Sequence, residues 1–230
     1  MSQFEVQYIL DCLKSVSTVD HFNKLKRFGI NQEQAYGVKI PDVRALAKII
    51  GVNHTLAQEL LRAKNHEARI LASLIDDYKL LTEEQVMFYI NGFNSWDVCD
   101  LSVDLIRKTI YCEKLIYTLS NDNEEFRKRT AFVLMCSNAV HNKKADNNLF
   151  LGYFDLIEQE AWDNRNFVRK AVNWALRQIG KRNIFLNEKA IECAKRIQLQ
   201  STSSAKWIAA DALRELQSEK IITRIKNKKS

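Results

Sequence analysis

Apolar residues recur along nearly the whole chain at spacings of three and four, the pattern that lines one face of a helix. Over 164–180, Val168, Ala171, Val172, Ala175 and Ile179 fall within one narrow arc at about 100° per residue and form a core stripe. The same pattern predicts helices over approximately 3–16, 20–29, 41–50, 54–63, 65–77, 83–91, 95–107, 111–120, 124–140, 147–161, 164–180, 187–199 and 203–224. Several starts have a local cause. Pro41 suits a first helical position, and Thr82-Glu83-Glu84-Gln85 is a capping box in which the Gln85 side chain returns to the backbone N–H of Thr82. One proline and six glycines leave too little turn material for a β-sandwich, so the chain reads as all-α with short loops. No Gly-, Ser- or Pro-rich linker divides it. The expected organisation is one domain over 1–224, followed by a basic tail at 225–230.

Three segments read as the same helix repeated: Glu125 to Ala131, Asn166 to Val172, and Ala205 to Arg214. Phe126 and Phe167 are 41 residues apart, and Ala175-Leu176-Arg177 returns 37 residues later as Ala212-Leu213-Arg214. A period of about 40 residues belongs to stacked helical pairs of the HEAT type, in which each pair buries its apolar face against its neighbours. The expected fold is therefore a HEAT-like helical-repeat solenoid, an α-α superhelix with a concave basic cleft.

At 230 residues and 46% apolar content the chain can bury a continuous core. No apolar run approaches the ~18 residues of a membrane span, and Met1-Ser2-Gln3-Phe4-Glu5 lacks the basic start of a secretory signal. A soluble intracellular protein is expected, in the cytoplasm or nucleoid of a bacterium or the nucleus of a eukaryote, acting as a monomer. The five cysteines are scattered, without a C-x-x-C arrangement, which suits free thiols in a reducing compartment. His21, His54, His66 and His141 are equally dispersed, so spacing suggests neither a metal site nor a Cys/His nucleophile pair. Walker, G-x-G-x-x-G and G-x-S-x-G sequences are absent.

The net charge of +7 is unevenly spread. Residues 1–161 hold 19 Lys+Arg against 22 Asp+Glu, a balance of −3, whereas residues 162–230 hold 16 against 6, a balance of +10. Such a local surplus faces a polyanion, or else is a solvated face with a disordered basic tail from Arg224 to Lys229.

Three constellations offer chemistry. Trp174 lies off the core stripe of its helix, on the side carrying Lys170, Arg177 and Lys181; it either packs against the next repeat or presents its ring to a nucleotide among cations. Trp96 and Asp100 are one turn apart and turned away from the Val98, Leu101 and Leu105 stripe; they are either a packed tryptophan with a dipole-favoured acid, or a pair able to stabilise a developing positive charge. Arg129 heads a face continued by Val133, Cys136 and Val140, and must snorkel, find a partner or clamp a phosphate.

These residues carry a family resemblance. Gly37-Val38-Lys39-Ile40-Pro41-Asp42-Val43-Arg44, Ser95 to Asp100, Phe126 to Ala131 and Phe167 to Arg177 occur in the order, and near the spacing, of the AlkD-like DNA alkylation repair proteins, over about residues 20–217. The resemblance implies a HEAT-like DNA glycosylase acting on duplex DNA that contains N3- or N7-alkylated purines. It implies that Trp96, Asp100, Arg129 and Trp174 line the cleft at the lesion, with Phe28, or else Tyr36, as a further aromatic contact; Arg44, Arg169, Lys170, Arg177 and Lys181 are the cations expected to bind DNA. No metal, cofactor or membrane is implied. Some related HEAT-like proteins bind unusual DNA structures without excising a base, so a non-catalytic module for branched or distorted DNA is the alternative; a protein-interaction scaffold is a third reading.

Overall fold

The computed structural model describes residues 3–227. Among these residues the chain forms fourteen α-helices and no strand. In order they are α1 (Gln3–Ser15), α2 (Val19–Arg27), α3 (Ile40–Ile50), α4 (His54–Arg62), α5 (His66–Ile75), α6 (Glu83–Asn91) and α7 (Trp96–Ile106). There follow α8 (Cys112–Leu119), α9 (Glu125–His141), α10 (Asn147–Glu160), α11 (Asn166–Gly180), α12 (Ile184–Gln198), α13 (Ser203–Leu216) and α14 (Glu219–Lys226). The chain clusters into two compact units, Met1–Tyr111 and Cys112–Ser230. No described helix is long and apolar enough to cross a membrane, and all five cysteines are free thiols.

The segment expected as one helix over 203–224 is two, parted at Gln217 and Ser218. The Ser218 hydroxyl accepts from the backbone N–H of Ile221 and starts α14. Arg224 and Lys226, expected in a disordered tail, are therefore helical; positions 228–230 lie outside the described residues. Pro41 sits one residue later than expected, because α3 already begins at Ile40. The capping box at Thr82 and Gln85 is present in both directions.

In the first unit α5 packs against α3, α4 and α7. The buried Glu67 carboxylate on α5 accepts the backbone N–H groups of Tyr36, Gly37 and Val38 at 2.7 to 3.2 Å, which ties the loop before α3 to the core. Gly37 allows that loop: its φ is +84°, and a Cβ there would meet Phe22 Cβ at 2.6 Å. Asp76, at the end of α5, takes hydrogen bonds from Gln58 (2.8 Å) and Tyr89 (2.7 Å) and meets His54 Nδ1 at 2.6 Å, so one buried acid joins α4, α5 and α6. Burial, then the Asp76 charge, pushes the Tyr89 phenol well above its usual range.

The second unit shows the repeat directly. α9 packs on α8 and α11, α11 on α12 and α13, and α10 on α12. The stripe Val168, Ala171, Val172, Ala175 and Ile179 is buried throughout, as the pattern predicts. Hydrogen bonds spanning one repeat stitch it: Phe167 N–H to Glu125 (42 residues), Asn173 to Asp211 (38), and Ser204 N–H to Asn164 (40). In the first unit the equivalent cross-links span only 31 residues, as between His66 and Asp97 or Asn65 and Gln34. Its helices α4 to α7 run 9 to 11 residues against 14 to 17 for α9 to α13, so each pair consumes less chain.

Candidate functional site

Helix α7 opens at Trp96, with Ser95 as its cap residue. The buried Ser95 hydroxyl does not cap the backbone; it donates to Asp97 Oδ1 at 2.7 Å. Asp97 Oδ2 lies 3.0 Å from His66 Nε2. Burial would raise the Asp97 carboxyl, but the hydrogen bond and charge of His66, then Ser95, outweigh it and hold it below the usual carboxylate range. Asp97 is thus a structural acid. Asp100, one turn from Trp96, is half-buried instead. Trp96 is also half-buried, and its indole N–H donates to the Phe28 carbonyl at 2.9 Å, at the C-terminal end of α2. That carbonyl is one a helix terminus leaves without an intrahelical partner, so the bond fixes the ring and satisfies the end of α2. The Phe28 ring is 54% exposed. The first unit therefore brings together Trp96, Asp100 and the backbone of Phe28. Arg44 is exposed on α3, with no ion pair or side-chain hydrogen bond joining it to them. The backbone N–H of Tyr36 is held by Glu67, and its side chain is half-buried. Of the expected core stripe, Val98 and Leu105 are buried but Leu101 is only half-buried, because the buried face of α7 centres on Val98, Ser102, Leu105 and Ile106.

In the second unit Arg129 is 6% exposed and donates to the Phe167 carbonyl at 2.6 Å, in the first turn of α11. Val133 and Cys136 below it are buried. The Phe126 and Phe167 rings meet at 5.7 Å between centroids, so α9 and α11 are joined at this end by both polar and aromatic contact. Lys170 is exposed, one turn along α11, and Trp174 is half-buried a further turn on. Arg177 and Lys181 are not open cations. Both pair with Glu215 of α13, at 2.6 and 2.8 Å, and Arg177 reaches Asp211 at 3.4 Å. Burial would raise Glu215; Lys181 and Arg177 outweigh it and hold it low. The guanidinium of Arg169 lies 5.2 Å from the centre of the Trp207 ring, itself partly exposed on α13.

Lys128 was not legible as a special residue within Phe126-Arg127-Lys128-Arg129. It is 3% exposed and bridges Glu160 (2.6 Å) and Asp163 (3.3 Å), with its ammonium 5.2 Å from the Trp162 ring. Only the helical phase of α9, together with the acids flanking Trp162, could have marked it.

The profile of a family described as DNA alkylation repair enzyme matches residues 9–216. The chain belongs to that family. All ten site residues proposed from sequence fall within the matched span of this DNA alkylation repair family member. A solved structure described as "a new family of proteins related to the HEAT-like repeat DNA glycosylases with affinity for branched DNA structures" superimposes with a TM-score of 0.76, covering 91% of this chain and 94% of that one at 17% identity. That likeness establishes the HEAT-like repeat fold. A search of curated protein sequences finds no match.

Proposed function

We propose that this protein is a monofunctional DNA glycosylase that removes positively charged N3- or N7-alkylated purines by hydrolysing the N-glycosidic bond. The observation carrying this reading is the placement of a half-buried carboxylate, Asp100, one helical turn from an indole fixed by its own hydrogen bond. A module that only binds phosphate gains nothing from a carboxylate placed there.

Alkylation at N3 or N7 makes the base cationic, so it departs neutral and needs no general acid. The sugar gains oxocarbenium character as the bond lengthens, and catalysis consists of stabilising that cation and aligning a water. Asp100 is assigned both tasks. Trp96 offers an electron-rich face to the cationic sugar or base, worth roughly 0.5–2 kcal/mol. The burial of Arg129 and its bond to Phe167 argue against a direct phosphate clamp; it holds the first turn of α11, which carries the exposed Lys170 to a phosphate. Arg169 and Arg44 add to backbone binding.

The reading is tested by the range of lesions released. 7-Methylguanine and 3-methyladenine should leave methylated duplex, whereas uracil, 1,N6-ethenoadenine and O6-methylguanine should stay, since no acid is identified to protonate a neutral leaving base. Borohydride should trap no protein–DNA adduct, since no lysine is assigned to attack the sugar. Uracil release or a trapped adduct contradicts the chemistry. One observation favours a second reading, a non-catalytic binder of branched DNA: the similar structure is described by such affinity. Four-way junction binding with no release of either methylated base would select it.

A further inference from the structure

Two adjoining cavities, of about 640 and 290 Å³, open on the first unit and share Arg62, Phe88 and Asn91. Both are close to or within the ~300–1,000 Å³ typical of ligand sites. Phe88 lies on the face of α6 opposite the buried Val86 and Ile90, is 48% exposed, and has no ring partner among the described residues. The smaller cavity is lined by three cations, Arg62, Lys64 and Arg69, and by no acid. Arg62 donates to the Gln58 carbonyl and Arg69 to the Gly92 carbonyl, and none of the three enters an ion pair among the described residues. Burial depresses Arg69 with no carboxylate to offset it, so an anion here relieves an uncompensated desolvation cost. The exposed Glu84 lines the larger cavity and not the smaller.

We propose that this groove binds an unpaired DNA strand, with a base stacked on Phe88 and its phosphate among Arg62, Lys64 and Arg69. An aromatic face beside unpaired cations is the arrangement that holds single strands without reading sequence. The turn from Asn91 leads directly into Trp96, so the groove lies on the same unit as Trp96 and Asp100. The inference rests on the DNA-binding reading above but not on catalysis.

The test compares a labelled oligo-dT strand with a blunt duplex of equal length on the full chain at fixed salt. Phe88→Leu, which keeps apolar bulk and removes the ring, should weaken oligo-dT binding about tenfold, the equivalent of one stacked base, and change duplex binding less than about twofold. Phe88→Trp should restore oligo-dT binding, and Arg62→Gln should flatten its salt dependence. Unchanged oligo-dT binding by Phe88→Leu, equal loss on both DNAs, or displacement of oligo-dT by poly-glutamate at matched charge overturns the proposal. Wild-type protein that binds duplex but not oligo-dT overturns it while sparing the DNA reading; binding to neither removes both.

Discussion

Asp97 is held between His66 at 3.0 Å and Ser95 at 2.7 Å, whereas Asp100, three residues later on α7, is half-buried. Removing the first should be a stability event. Asp97→Ala leaves buried polar groups unsatisfied and should cost about 1–3 kcal/mol in urea unfolding. Because the carboxyl of Asp97 is held below its unfolded value of about 3.9, its contribution is present above that pH and is lost as pH falls through the lower folded value. The wild-type unfolding midpoint should therefore fall in that acid range, and Asp97→Ala should show a weaker fall. The i, i+4 relation of Trp96 and Asp100 was legible in the sequence because helical phase is local. The pairing of Asp97 with His66 spans 31 residues and was not. Nor was the bond between Trp96 and Phe28, which spans 68 and follows from where α2 ends.

At the scale of elements, helical periodicity located thirteen segments but ran through the break at Ser218. The signal was present: the apolar spacing lengthens from Leu216 to Ile221, and Ser218 precedes an acid in the first turn of α14. The basic side of α11 was legible too, but its partners one repeat away on α13 were not. Glu215→Gln should release Arg177 and Lys181, raise duplex affinity and steepen the slope of log affinity against log salt, if these cations face DNA. An unchanged slope would assign the trio to structure alone. Gly180 is where α11 meets its neighbours: a Cβ would lie 2.8 Å from Ala190 Cβ and 2.8 Å from Leu216 Cδ2. Gly180→Ala should therefore destabilise by about 1–3 kcal/mol through overpacking, measured by thermal or urea unfolding, although alanine is the better helix former.

For the molecule as a whole, the 40-residue period gave the HEAT-like fold, since Phe126 and Phe167 hold equivalent places and touch. The first unit hid its repeat because its cross-links span 31 residues and its helices are shorter, so no single period fits the chain. Charge was legible only as a sum. Of the 16 cations behind the +10 surplus in residues 162–230, Arg165, Arg177, Lys181 and Arg214 are held by Asp163, Asp211 and Glu215, which leaves Lys170 and Arg169 as the residues expected to meet DNA on α11. If Asp100 carries the chemistry, single-turnover release of 7-methylguanine and 3-methyladenine from methylated duplex, with wild type and Asp100→Asn compared at saturating protein, will show it. Wild type should release both bases and Asp100→Asn should lose most of that release, with duplex affinity equal or slightly higher once a charge that repels phosphate is gone. Near-normal release by Asp100→Asn, or none by wild type that binds the duplex, would contradict that role.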